Sequence, residues 1–481
     1  MGTARGLAAL GVLALAGCGG SSAPKPSSVV LHLALPLVPR QLDPAKAPDL
    51  PSLNVAHELY SGLTRYSGSG VAPDLAQSWD VSRGGLVWTF HLRKGLRWSD
   101  DSPIVAGDVR RAWLRALDPK TAAPYAGPYL GIVRGARRYH ATGRGSLGVQ
   151  APDDRTLRVT LQHPVPWFDQ LVAHPVTAPP PPRAGVFSGP FRLVSRGAGN
   201  LVLERNFNYW DARAVKPSRL VLSATRTGAD AVLPRGLAGP GLPWIETTGP
   251  RPAGARELPT MATGLLWLAA RDSTLADPAA RQWVAGAIAN SRPFSRVPLV
   301  APAVPGAHEV NSDARVVVVP GRFLPLHLTL AWARQDLGGS HVAAQLRASD
   351  EQLRRLKIDL DYRPVQTLSE LLSTRADLTL LGWSPKLFDA YNVLDLFPCG
   401  SAFNVARWCD PRYDAGMRKA VRTLDDRDRR RLERRLADRL RRAAPAIAVY
   451  TGRDWYSARP GVTGFSWSPI GFYELLGMTR S

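Results

Sequence analysis

Cysteine is scarce in this chain. Its 481 residues include three cysteines, at Cys18, Cys399 and Cys409. A structural metal site draws on about four soft ligands, more than one isolated pair provides. The nine histidines are scattered singly, and His57-Glu58 is followed by Leu59-Tyr60-Ser61, not by a second metal-ligating histidine. No Gly-x-Ser-x-Gly, no His-Glu-x-x-His and no phosphate-cradling Gly-x-x-x-x-Gly-Lys occurs. These absences speak against an enzyme and against a bound metal or cofactor. Beyond the N-terminus no apolar run approaches the roughly 20 residues that a spanning helix needs.

Acidic residues are also outnumbered, leaving a formal net charge of +22. Arginines are spread along the whole chain, and their densest run is Arg427 to Arg442. Within that run Leu432, Leu436 and Leu440 recur every fourth residue. That is an amphipathic surface helix before it is a polyanion site, and no nucleic-acid partner is expected. Attraction to an anionic envelope surface is the expected consequence of the charge.

The N-terminus reads as an address. Arg5 precedes a short apolar run, Leu7 to Ala16, which ends in Leu15-Ala16-Gly17-Cys18. This resembles a bacterial lipobox, with residues 1–18 as signal peptide and Cys18 as the lipidated thiol. Residues 19–28, rich in Ser, Gly and Pro, read as a flexible tether. The remaining chain is long enough for two or three domains with full cores. In an exported protein Cys399 and Cys409 form an even pair, and a disulfide is expected.

The most informative stretch runs from Leu86 to Pro119. Trp88, Phe90 and Leu92 alternate with Val87, Thr89 and His91, as in a strand with two unlike faces. Leu96 to Trp98 reads as a second short strand, and Ser99 to Pro103 as a turn. A helix then carries Val109, Trp113 and Leu117 on one stripe, with Asp108 near its positive end. The order WTFHLRK, Trp-Ser-Asp before a proline, and Ala-x-Asp-Val at the helix start resembles the hallmark segment of the family 5 extracellular solute-binding proteins, the peptide receptors of ABC importers. Asp101 departs from it, standing where a turn glycine is usual. Further phrases resemble the oligopeptide-binding branch: His57 to Leu63, Val71 to Asp80, Asp118 to Ala126, Pro164 to Phe168, Gly189 to Phe191 and Asp277 to Arg281.

The resemblance implies an α/β chain with a two-lobed periplasmic-binding-protein-like fold, mixed sheets and a hinge between lobes. Residues 29–57, 184–262 and 451–481 would form lobe I, 58–183 an associated subdomain, and 263–450 lobe II. Elements expected from the pattern are a strand from Val29 to Leu35 and a helix from about Ser52 to Leu63. A β-α-β unit follows, with strands at Leu326 to Trp332 and Lys357 to Tyr362 around a helix from Ser340 to Leu356, and a further strand spans Leu378 to Trp383. The chain would cross between lobes near Leu265 and near Tyr450. The stretch from Leu220 to Pro259 shows no clear pattern.

The family likeness places the ligand around Leu380 to Asp389. Backbone at Leu50, Gly382 and Ser384 would pair with an extended peptide, and Tyr125 and Trp383 would line the site. The position of Lys386 normally holds an aspartate that meets the peptide's ammonium, so its charge is reversed here. Either Lys386 meets an anionic group of the ligand, or it is a solvated rim residue and Asp389 serves as the amine anchor. The expected partners are a peptide or peptide-like ligand, ABC permease and ATPase subunits, and the membrane through the lipid anchor. The expected protein is a monomer outside the cytoplasm. The reversed anchor also fits a relative that has lost transport and serves signalling or envelope scaffolding, or a receptor for a non-peptide anionic solute.

Overall fold

The structure, a computed structural model, describes residues 29–181, 183–197, 199–234, 254–271, 274–291, 325–334, 336–383, 386–401 and 403–481. Cys18 and the tether lie outside these residues, as does Ser384. A ten-stranded mixed sheet runs through most of the molecule. Its order is Ile358–Val365, Leu326–Ala333, Leu378–Trp383, Arg256–Leu268, Ala446–Ala458, Ala231–Val232, Val30–Ala34, Arg219–Ser223, Asn200–Arg205 and Phe191–Arg196. A separate four-stranded antiparallel sheet holds Ala76–Ser82, Val87–Leu92, Thr156–Thr160 and Val149–Asp153 in that order.

The hallmark segment lies at the centre of the smaller sheet. Trp88, Phe90 and Leu92 are buried, and so is Val87. The helix Ala106–Leu117 covers them with Val109, Trp113 and Leu117, all fully buried. Trp113 is large and has one polar atom, so burying it requires an acceptor. Its Nε1 donates to the Thr177 carbonyl at 2.9 Å. Asp108 acts as anticipated at the helix start, its Oδ2 accepting from the Val105 N–H at 2.8 Å. Leu96 to Trp98, however, is not a strand: it contributes only an isolated bridge between Arg97 and Pro103. The intervening turn, with the Asp100 side chain accepting from the Ser102 N–H at 3.1 Å, leaves too few paired residues for a ladder.

The first helix is Leu50–Leu59, starting and ending earlier than expected. Asp49 caps it by accepting from the Ser52 N–H at 2.8 Å, which moves the start forward. Tyr60 is already extended, and the chain then packs too tightly for a side chain at Gly62. A Cβ there would stand 2.9 Å from the Thr64 carbonyl and 3.0 Å from that of Val172. The first strand, Val30–Ala34, falls where the alternation placed it and pairs in parallel with Arg219–Ser223. That partner strand and the short Ala231–Val232 lie inside the stretch that had no legible pattern.

The β-α-β unit is present. Leu326–Ala333 and Ile358–Val365 run parallel, and the former also pairs in parallel with Leu378–Trp383. The single helix expected between them is two, Leu337–Ala348 and Asp350–Arg355. Ser349 breaks them; it is buried and its hydroxyl donates to the Gln345 carbonyl at 3.2 Å, a local bond that competes with helix continuation.

The crossings near Leu265 and Tyr450 belong to two strands of 13 residues each, Arg256–Leu268 and Ala446–Ala458. They pair antiparallel along most of their length, with register shifts between Pro259 and Thr263 and between Gly264 and Leu265. Buried apolar residues form separate cores on either side of them. One gathers Leu266, Val284, Leu330 and Leu346; another Leu31, Leu59, Phe191 and Leu220; a third Phe90, Trp113 and Phe168 around the smaller sheet.

The arginine-rich run is a helix, Asp426–Ala443, with Leu436 buried against the core. Many of its arginines are engaged along the helix itself: Arg430 with Asp426, Arg431 with Asp428 and Arg441 with Asp438. Cys399 and Cys409 are joined by a disulfide.

Asp101 adopts the left-handed conformation, at φ 68°. Its side chain is exposed and its carbonyl, not its carboxylate, accepts from Arg97. A residue with a Cβ is disfavoured there and glycine is not. Asp101→Gly should therefore stabilise the protein by about 0.5–1 kcal/mol in equilibrium denaturation; a loss of stability would show that the Asp101 side chain contributes more than the strain it imposes.

Candidate functional site

The site grows from the end of one strand. Leu378–Trp383 pairs along its length with Leu268 to Thr263, so Gly382 faces Gly264. On its other side the ladder to Leu326–Ala333 stops at Leu380 opposite Trp332. Among the described residues the strand therefore keeps one neighbour from Leu381 to Trp383 and presents a free edge there, the geometry that strand addition requires.

Beyond that edge the chain loops back. The Lys386 N–H donates to Asn392 Oδ1 at 2.8 Å, and the helix Tyr391–Leu394 follows. The loop faces the smaller-sheet region across a cleft of about 310 Å³. Ile132, Trp167 and Leu171 form one wall; Trp383, Leu387, Leu396 and Phe403 form the other. Lys386 and Asp395 are the oppositely charged pair inside it. Burial pulls the Lys386 ammonium down from its usual pKa, and the field of Asp395 partly restores it. Burial likewise raises Asp395, which accepts the Tyr391 hydroxyl at 2.7 Å.

Direct contacts tie the two walls together. The Phe388 N–H donates to Gln170 Oε1 at 2.8 Å. The rings of Trp167 and Tyr391 lie 4.4 Å apart, and the Arg429 guanidinium sits 5.6 Å from the Trp167 ring centroid.

Residues 70–240 match the family described as bacterial extracellular solute-binding proteins, family 5 Middle. The periplasmic oligopeptide-binding protein OppA of Escherichia coli K12 is 39% identical over 236 residues, a match spanning 44% of this chain and 43% of that relative. The probable deoxycholate-binding periplasmic protein YgiS of the same organism is 28% identical over 480 residues, 89% of each. The likeness to family 5 thus rests on residues 70–240 and on relatives matched over part of the chain or at lower identity. Among solved structures, the unliganded open form of the murein tripeptide-binding protein MppA superposes with a TM-score of 0.76, at 21% identity, over 94% of this chain and 98% of that one. Haemophilus influenzae OppA in complex with a peptide gives 0.67 at 21% identity, over 94% and 99%. The fold is the two-lobed one of these binding proteins.

Within this fold, two of the residues singled out from sequence meet in the cleft: Trp383 and Lys386. Gly382 belongs to the free edge and not to the cleft wall. Leu50 is buried at the start of its helix. The Tyr125 hydroxyl donates to the Pro48 carbonyl at 3.2 Å, its ring lies 5.1 Å from that of His174, and burial pushes it up to about 12. Asp389 does not serve as a free anchor. Its Oδ2 takes both Nε and Nη2 of Arg429, at 3.3 and 3.2 Å, and its Oδ1 takes the Tyr391 N–H at 2.9 Å. It is buried against Arg429 and is not part of the cleft lining. Tyr391, Asn392, Asp395 and Gln170 were not anticipated; a short polar residue in an apolar helix gives no sign of which cavity it will reach.

A second buried polar group sits at the base of the smaller-sheet region. Arg65 pairs with Glu474 at 2.9 Å and donates to the Tyr209 hydroxyl at 2.9 Å, while Trp210 Nε1 donates to Asp74 at 2.7 Å. His57 is buried and its pKa falls to about 3, so it is neutral. No cluster of three or more metal-ligating side chains occurs among the described residues. Glu58 accepts the Leu475 N–H at 2.8 Å through Oε1, and Oε2 has no partner. Burial raises its pKa to about 8. The folded state thus holds a proton that the unfolded state releases above the ordinary glutamate range, and stability falls as pH rises from there to about 8. Glu58→Gln keeps the Oε1 acceptor and removes the titration. It should stabilise the protein at pH 8 by on the order of 2 kcal/mol relative to pH 5, read from denaturation midpoints at the two values. An unchanged pH dependence would place the titrating group elsewhere.

Proposed function

We propose that this chain is the extracytoplasmic solute-binding component of an ABC importer. It would be anchored to the outer face of the cytoplasmic membrane through lipidated Cys18 and act as a monomer. Residues 29–57, 184–262 and 451–481 would make lobe I, 58–183 its subdomain, and 263–450 lobe II. A peptide or peptide-like ligand would enter between the lobes and be delivered to the permease, with a partner ATPase driving transport. The observation that carries this reading is the free strand edge at Leu381 to Trp383 opening beside the cleft. Main-chain pairing there gives affinity without reading side chains, the property a peptide receptor needs. Contact of a ligand with both walls favours the closed form only, so occupancy becomes visible to the permease as shape.

A second reading is a receptor for a non-peptide anionic solute. Lys386 in the cleft, with Arg137 also lining it, favours it, and so does the likeness to YgiS, whose name gives deoxycholate as its probable ligand.

The test is to purify the protein from its own membranes and identify co-purifying small molecules by mass spectrometry after denaturation. Peptides or peptide-like molecules in near-stoichiometric amount are expected, and a recurring non-peptide acid would establish the second reading. A preparation empty of solute, from cells whose uptake is unchanged by deleting the gene, would contradict both. In the same experiment Cys18→Ser should move the protein into the aqueous phase of a detergent separation; retention with the lipids would exclude anchoring through Cys18.

A further inference from the structure

We infer that the cleft is built to hold the carboxylate end of an apolar ligand, with Lys386 as the anchor and Asn392 and the Trp383 indole as supporting donors. This rests on the solute-binding reading above and adds the chemical class of what is bound.

Several hydrogen-bond donors of the cleft lack acceptors. The Lys386 ammonium forms no ion pair among the described residues; its recorded contact is with the Trp383 ring, 5.9 Å from the centroid. Asn392 is 6% exposed. Its Oδ1 is committed to the Lys386 N–H, which fixes the amide's orientation and leaves Nδ2 buried without a partner. Trp383 Nε1 is also buried and unpartnered. Three kinds of donor therefore stand unpaired in one wall. Asp395 lines the cleft with them; it accepts the Tyr391 hydroxyl and lies close enough for its charge to act on Lys386, but it forms no ion pair with it. At the rim the exposed Arg137 adds a second cation that forms no ion pair among the described residues.

Unpaired buried donors call for an acceptor, and an ionised carboxylate is all acceptor, with room for about four hydrogen bonds. An ammonium would add donors where donors already lack partners. Charge-assisted bonds from Lys386 to a carboxylate are stronger than neutral ones, and more so with water excluded. Both supporting donors are closed to solvent as the loop stands, so a small shift of the 386–396 loop on binding delivers them. Beside these groups the lining holds His140 and His163 together with the apolar Ile132, Trp167, Leu171, Leu387, Leu396 and Phe403. A volume of about 310 Å³ is at the small end of ligand pockets. It suits the last residues of a peptide, or a compact aromatic acid.

Those two sources share one chemistry, and a titration can separate them. The full chain would be titrated calorimetrically with N-acetylated tripeptides and their C-terminal amides, and with 4-phenylbutyrate and its amide. Free-amine tripeptide amides supply the opposite charge. In whichever arm binds, the acid should bind at least about tenfold more tightly than its amide. The arm that binds identifies the source. Lys386→Met should abolish that preference. Asn392→Asp keeps the acceptor for the Lys386 N–H but replaces the donor by an anion, and should weaken the acid about tenfold or more. Trp383→Phe keeps the ring and should cost the acid a few-fold. None of the three should weaken an amide comparably, and unchanged circular dichroism would verify folding. Equal binding of acid and amide to wild type, or an acid preference that survives in Lys386→Met, overturns the inference. Tight binding of the free-amine amides would do the same, while leaving the solute-binding reading intact with Asp395 as anchor. Failure of every acid probe to bind overturns it as well; the solute-binding reading is then decided separately by the co-purified material.

Discussion

The pairing of Arg256–Leu268 with Ala446–Ala458 is the constraint from which the rest of the molecule follows. These two strands carry the chain between its halves, and each joins a different neighbour. The first continues into Leu378–Trp383, the second into Ala231–Val232. A ladder of main-chain bonds resists shear along its length, but it yields where the register is interrupted. The interruptions between Pro259 and Thr263 and between Gly264 and Leu265 lie where the strands pass from one core to the other. Bending there would move whole cores and leave their packing intact, as hinge motions require.

The same strand pair places the chemistry. Because Arg256–Leu268 takes Leu378–Trp383 as its neighbour, the loop after Trp383 is directed at Trp167 and Gln170. Charges are then sorted by what surrounds them. Arg429 is buried with Asp389 and beside Glu433, and burial together with the nearby Asp389 carboxylate pushes the Glu433 pKa up. That cluster is internally neutralised and structural. Lys386 is in no such cluster: it forms no ion pair among the described residues and lines the cleft with Asp395, whereas Asp389 is not part of the lining.

Much of the fold was legible because the hallmark stretch combines several independent signals. Alternation fixed Val87–Leu92, the Val109-Trp113-Leu117 stripe fixed the helix, and Asp108 marked its start. Asp101, read as an oddity against a usual glycine, does adopt a positive φ. Boundaries failed where tertiary contacts decide them: at Gly62, where backbone from Val172 leaves no room for a Cβ, and at Ser349, where a side chain ends a helix. Arg219–Ser223 was missed because its flanks are loops without turn signals strong enough to frame five residues. The site was legible only in part. Family likeness drew attention to Trp383 and Lys386, but Asn392 and Asp395 reach the cleft through the fold of a loop that no local pattern records.

The central claim is that a ligand in the cleft draws the two halves together about the paired strands. Pulsed electron spin resonance can measure this directly, with spin labels at Ser146→Cys and Ala415→Cys, both exposed and on opposite sides of the cleft in the chain's division. The native disulfide keeps Cys399 and Cys409 from reacting. Saturation with any solute that the protein binds should replace a broad distance distribution by a single narrow one. A distribution unchanged at saturation would contradict the account, because the cleft would then bind without closing.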